Sequence, residues 1–166
     1  MTLTSIFLKE LQNEAVTTRK MLERIPSDKF DWKAHLKSMS IKEVATHIAE
    51  LPGWVPMVLS TNELDFATMD YKPAKINSTK DLLDLLNSNV EMAESFLKPE
   101  NEGELSKGWI LRNGDKILSN DSKAEVIRMV FNQITHHRAQ LGVYLRLLDI
   151  PIPGSYGPSA DENDFA

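Results

Sequence analysis

Asn132-Gln133-Ile134-Thr135-His136-His137-Arg138-Ala139-Gln140-Leu141 sets polar, metal-capable side chains inside a segment that otherwise reads as a buried helix. Around it, Val126, Met129, Val130, Leu141, Tyr144, Leu147 and Leu148 recur at helical spacing, and Gln133 and His137 fall on the same stripe. Residues four apart differ by about 40° around a helix, so Gln133 and His137 point the same way, whereas His136 is turned by about 100°. A buried imidazole and a buried amide both need partners. A metal ion would supply them, and so would a network of hydrogen bonds to neighbouring polar groups. The segment alone is compatible with both.

Outward from this stretch, the pattern predicts four helices. The last opens at a capping box, Ser122-Lys123-Ala124-Glu125, and ends near Pro151. The first, Leu3 to Ile25, carries Ile6, Phe7, Leu11, Val16, Met21 and Leu22 and stops before Pro26. The second begins at Ser40-Ile41-Lys42-Glu43 and buries Ile41, Val44, Ala45, Ile48 and Leu51 before Pro52-Gly53 disturbs it, with helix resuming from Trp54 to Leu59. The third follows Ser78-Thr79-Lys80-Asp81 and carries Leu82, Leu83, Leu85, Leu86, Val90, Met92 and Phe96. Four amphipathic helices bury their stripes best as a bundle, so the expected fold class is all-α.

Two connections exceed what a minimal bundle needs. Thr61 to Asn77 reads as a crossover. Between the third and fourth helices, Gly108 to Leu118 contains Asn113-Gly114 flanked by partly alternating apolar residues, which predicts a small hairpin capping one end of the helices.

Length and charge bound the function. The chain has 166 residues, enough for one domain over residues 1–166 with a single core. Its 19 Lys and Arg are interspersed with 24 Asp and Glu, for a formal net charge of -5, which argues against a nucleic-acid partner. No apolar run reaches the roughly 20 residues of a membrane span, and no basic-then-apolar leader opens the chain, so a soluble cytoplasmic protein is expected. Without cysteine, disulfides, zinc-thiolate sites and a cysteine nucleophile are excluded, and any metal must use His, carboxylate or amide ligands. Nor is there a glycine-rich phosphate loop, a nucleophile elbow, or a Glu-x-x-His pair of the di-iron kind.

Of the other histidines, His35 lies in a loop. His47 is three residues after Val44 and one before Ile48, which places it at the interior or its margin, where an antiparallel neighbour could bring it to His137. Two histidines on separate helices plus an amide meet the minimum for a three-ligand site with an open position.

The string Asn132 to Leu141, continued by Tyr144-Leu145-Arg146-Leu147-Leu148, Pro153 and Tyr156-Gly157-Pro158-Ser159-Ala160-Asp161-Glu162, resembles the DinB family. So do His35-Leu36-Lys37-Ser38-Met39-Ser40 and Glu43-Val44-Ala45-Thr46-His47-Ile48-Ala49-Glu50-Leu51-Pro52 in the front half. The resemblance implies a four-helix bundle, often dimeric, with a divalent metal held by one histidine of the second helix and an H-x-x-x-H pair on the last. It also implies relatives that are thiol-dependent transferases and isomerases. Carried over, the metal positions are His47, Gln133 and His137, with Gln133 standing where the family has histidine. Ala139 replaces a usual glycine, and His136 takes a supporting role beside the ligands.

Three readings follow. The first is a zinc- or nickel-dependent transferase or hydrolase acting on a small molecule, with a low-molecular-weight thiol as cosubstrate. The second is a metal-poor relative that binds a small molecule. The third is a purely structural dimerising protein. A homodimer is expected in the first instance from the family, with apolar Phe7 and Leu83 as its surface support.

Overall fold

The computed structural model describes residues 1–163, so residues 164–166 of the expected domain lie outside the described residues. Its helices are α1 (Leu3–Glu23), α2 (Ile41–Glu50), α3 (Trp54–Ser60), α4 (Thr79–Phe96) and α5 (Lys123–Leu147). Three strands, β1 (Glu63–Asp65), β2 (Gly108–Asn113) and β3 (Lys116–Ser122), form one sheet in the order β1-β2-β3. The fold is therefore helix-rich with a small mixed sheet, which corrects the all-α class: beyond the expected hairpin, a third strand joins it.

The helix starts follow their capping residues. Ser40 Oγ accepts from the Glu43 N–H at 3.2 Å while Glu43 Oε2 accepts from the Ser40 N–H at 2.6 Å. Ser78 with Asp81, and Ser122 with Glu125, close the same reciprocal box. Each removes an orphan backbone donor, worth about 1 kcal/mol. At the other end of α2, Pro52 cannot continue the ladder, and a single 3-10 turn over Leu51–Gly53 redirects the chain into α3. Asn89 donates its amide to the Ala49 carbonyl at 2.9 Å, serving backbone beside that break.

Helices α4 and α5 each pack against α1, α2 and α3. The core divides in two. One part joins Leu22, Ile41, Ile48, Leu86, Leu141 and Leu145, and the other joins Phe7, Val55, Trp109, Ile127, Phe131 and Ile134. Helix α5 contributes to both, with His137 between its two sets of core residues. Ile6 and Val16 are exposed, although the sequence stripe counted them inward, while Phe7 is 2% exposed and Leu83 packs against the core. Phe7 therefore does not offer the surface expected of it, while Leu83 remains partly exposed.

The predicted hairpin is present, one register step from its expected turn. Asn113 pairs with Lys116, so the two-residue loop is Gly114-Asp115. Gly114 takes φ +59° and no other residue of that turn is left-handed, the pattern of a type II′ connection with glycine first. The register slips between Leu111 and Arg112, a bulge that bends the ribbon. β1 was not foreseen. It lies in the Thr61 to Asn77 crossover and pairs in parallel with β2, Leu64 opposite Leu111.

The C-terminal segment returns across α1 and α5. Tyr156 donates its hydroxyl to Glu14 Oε1 at 2.7 Å and accepts from Arg138 Nη2 at 2.8 Å. Arg138, 3% exposed, also sets Nη1 2.6 Å from Glu14 Oε2 and donates to Thr18 Oγ1 at 3.1 Å. A charge this deep is tolerable because it is paired and multiply bonded. Among the described residues, no helix is long and apolar enough to cross a membrane.

Candidate functional site

His47 sits in the last turn of α2, and His137 at the middle of α5. Their ring centroids are 4.7 Å apart at 83°, an edge-to-face contact, and both residues are half-buried. The two sequence-predicted histidines thus meet. His136 also lies edge-on to His137, at 4.8 Å, but is exposed on the outer side of the helix as its 100° offset requires.

Hydrogen bonds orient His137. Its Nδ1–H donates to Gln140 Oε1 at 3.1 Å, and the Gln140 amide donates to the Tyr144 hydroxyl at 3.0 Å. These three residues are spaced three and four apart, one ridge of α5. Gln140 therefore fixes the imidazole plane and leaves Nε2 as the free nitrogen. Burial, and secondarily the neighbouring His137, hold His47 below the usual histidine value, favouring its neutral form.

Gln133, the third expected ligand, is half-buried one turn earlier on α5. It borders a shallow recess of about 280 Å³ with Met129, Asn132 and His136, separate from the cleft that reaches His47. Among the described residues, no group of three or more His, Asp or Glu could hold a metal ion. The donors that the family resemblance implies are two imidazoles and a neutral amide, one imidazole short of the three it implies for such a site. A glutamine carbonyl is a poor ligand for zinc or nickel, so these residues do not fit a tight site for either. His35 stands apart in its loop, where its Nδ1 accepts from the Lys37 N–H at 3.1 Å.

The His47 imidazole opens on a cleft of about 710 Å³. Trp54 and Met57 of α3, Leu64 of β1, Leu85 of α4, and Phe66 and Tyr71 of the crossover wall it with apolar surface. A larger recess of about 970 Å³ runs along α1 past Ile6, Val16 and Tyr156, but neither imidazole lines it. Glu50, one turn after His47 on α2, belongs to the His47 cleft and takes the Tyr71 phenol on its carboxylate. Asn89 approaches Gly53 closely, and a Cβ there would meet its Oδ1 at 3.0 Å. In the sequence Glu50 stands out only as part of the Glu43 to Pro52 string that carries the family resemblance. The sequence could not signal Phe66 or Tyr71, which reach the cleft through β1.

The chain belongs to the DinB family, whose profile matches residues 1–164. Solved structures agree in fold. A protein of Exiguobacterium sibiricum assigned to that family superposes with TM-score 0.70 at 20% identity, covering 92% of this chain and 95% of that one. A DinB-like protein of Bacillus subtilis gives TM-score 0.66 at 17% identity, covering 88% and 96%. A DinB-like protein of Bacillus cereus gives 0.62 at 18%, covering 89% and 94%. No curated protein matches the chain.

Proposed function

We propose that this DinB-family chain is a small-molecule-binding protein whose ligand enters the cleft beside His47, and whose ancestral metal position has been reduced to a two-imidazole pair. One observation carries the reading: His47, in edge-to-face contact with the half-buried His137, lines a largely apolar cleft, while the third position that the family resemblance implies is a neutral amide. Apolar walls with a few placed polar groups are what small-molecule sites require. The neutral His47 can accept a hydrogen bond from a bound ligand or take a proton from it. A small thiol cosubstrate fits this chain less well, because holding it as thiolate calls for the metal that the donor set supports poorly.

Metal analysis with titration calorimetry tests the reading. Protein dialysed without chelator should retain zinc and nickel well below one per chain, and titrated zinc should bind at about micromolar or weaker affinity. One tightly held ion per chain after dialysis would overturn it in favour of a metal-dependent transferase or hydrolase using His47, Gln133 and His137.

A further inference from the structure

The cleft reading leaves open which chemistry the cleft prefers, and its polar atoms answer that. Tyr71 presents its phenol 3.1 and 3.0 Å from the two oxygens of Glu50. A phenol has one proton to give, so the carboxylate keeps lone pairs for a ligand. Asn89 gives one amide hydrogen to the Ala49 carbonyl, and its Oδ1, beside Gly53, is a further acceptor. The one lysine on the wall, Lys72, turns its charge outward: Nζ is 3.0 Å from Asp70 and the side chain is 82% exposed. Among the described residues the cleft therefore offers several acceptors and, apart from the His47 imidazole, no inward cationic group.

The aromatic walls add to the same preference. Trp54, Phe66 and Tyr71 carry negative π faces, and Phe66 and Tyr71 are 41% and 53% exposed, leaving surface for a ligand to cover. Met57 and Met69 supply polarizable, adaptable contact around them.

We propose that the cleft beside His47 recognises an organic ammonium, a cationic amine bearing an apolar or aromatic group, with Glu50 as its counter-charge and Trp54, Phe66 and Tyr71 as its aromatic wall. This rests on the cleft being the ligand site. Three probes of matched size separate the two statements: benzyltrimethylammonium, benzyl alcohol and phenylacetate, titrated into the full chain and followed by NMR at the Trp54 indole and the His47 ring. Benzyltrimethylammonium should bind about tenfold more tightly than phenylacetate and measurably more tightly than benzyl alcohol. Glu50→Gln, which keeps an acceptor for Tyr71, should remove the advantage over benzyl alcohol. Tyr71→Phe, which frees the carboxylate but keeps the ring, should preserve it.

Equal or tighter binding of benzyl alcohol or phenylacetate would overturn the ammonium preference while leaving the cleft as a ligand site. An undiminished preference in a folded Glu50→Gln variant would overturn the role of Glu50. Where that variant does not fold, loss of the preference in Tyr71→Phe does the same. Absence of any shift with all three probes would overturn the cleft reading itself, and the preference with it.

Discussion

His137 and Gln140 form a hydrogen-bonded pair along one ridge of α5, Nδ1–H to Oε1 at 3.1 Å, and Gln140 is itself held by Tyr144. A proton on Nδ1 puts the free lone pair of the ring on Nε2. Nitrogen-15 NMR at neutral pH should report His137 as the Nδ1–H tautomer. In Gln140→Leu the preference should relax toward the Nε2–H form that free imidazole side chains favour. A Nε2–H tautomer in the wild-type chain would reverse the direction assigned to the bond.

Gln133, which stands where the family resemblance implies a histidine, gives a gain-of-function test. Gln133→His places a second imidazole four residues before His137, on the same helical face. Zinc or nickel affinity should rise well over tenfold, more than about 1.4 kcal/mol, and His137→Ala should weaken whatever binding exists. A well-folded Gln133→His variant with unchanged affinity would mean that the three side chains do not converge on one point.

The pH dependence of stability should carry the His47 signature. Its folded value lies below the unfolded one, with burial the first cause and His137 the second, so the unfolded chain binds the proton more readily. Stability from this residue is therefore present above pH about 6.5 and falls as pH drops from there through the lower folded value. Denaturation midpoints of wild type and His47→Asn, compared between pH 8 and pH 5, should show a shallower fall in the variant. A parallel fall in both would contradict the assignment.

The paired charge beneath the C-terminal segment should be costly to break. Arg138→Ala leaves the buried Glu14 uncompensated and should destabilise the fold by about 3 to 5 kcal/mol in urea denaturation. Tyr156→Phe removes one hydroxyl shared by both partners and should cost about 1 to 2 kcal/mol. A near-neutral Arg138→Ala would show that Glu14 finds another partner or protonates without penalty.

Association is the remaining prediction. Family membership leads us to expect a homodimer, and light scattering at micromolar concentration should return about twice the chain mass of 18.8 kDa. A monomer mass would remove the expectation.

Capping residues and proline breaks made the helices legible, because both act within a few residues of where they stand: the Ser40, Ser78 and Ser122 boxes each mark a helix start in the structure. The meeting of His47 and His137 was legible for a similar reason, since their facing positions follow from helical period and the family's order. Periodicity could not reveal which apolar residues face solvent. Ile6 and Phe7 are adjacent, and only the neighbouring elements decide that Phe7 is the buried one. β1 was hidden because three residues carry too little pattern, and its partner strand is distant in sequence. With β1 went the cleft walls at Leu64, Phe66 and Tyr71.

That strand pairing bears on where the molecule opens first. Glu63 must find Ile110 and Asp65 must find Arg112 across an intervening helix, and the strand that does so is only three residues long. So short a pairing returns little against the chain entropy of closing its loop, whereas the helices bury long apolar faces against one another. The cleft beside His47, walled on one side by this crossover, is then held on that side by few backbone bonds and is among the first parts to open. Amide hydrogens of Phe66, bonded to the Arg112 carbonyl at 3.0 Å, and of Ile110, bonded to the Asn62 carbonyl at 3.0 Å, would exchange well before those of the helical core, so that occupancy of the cleft is read out as slowed exchange along this seam.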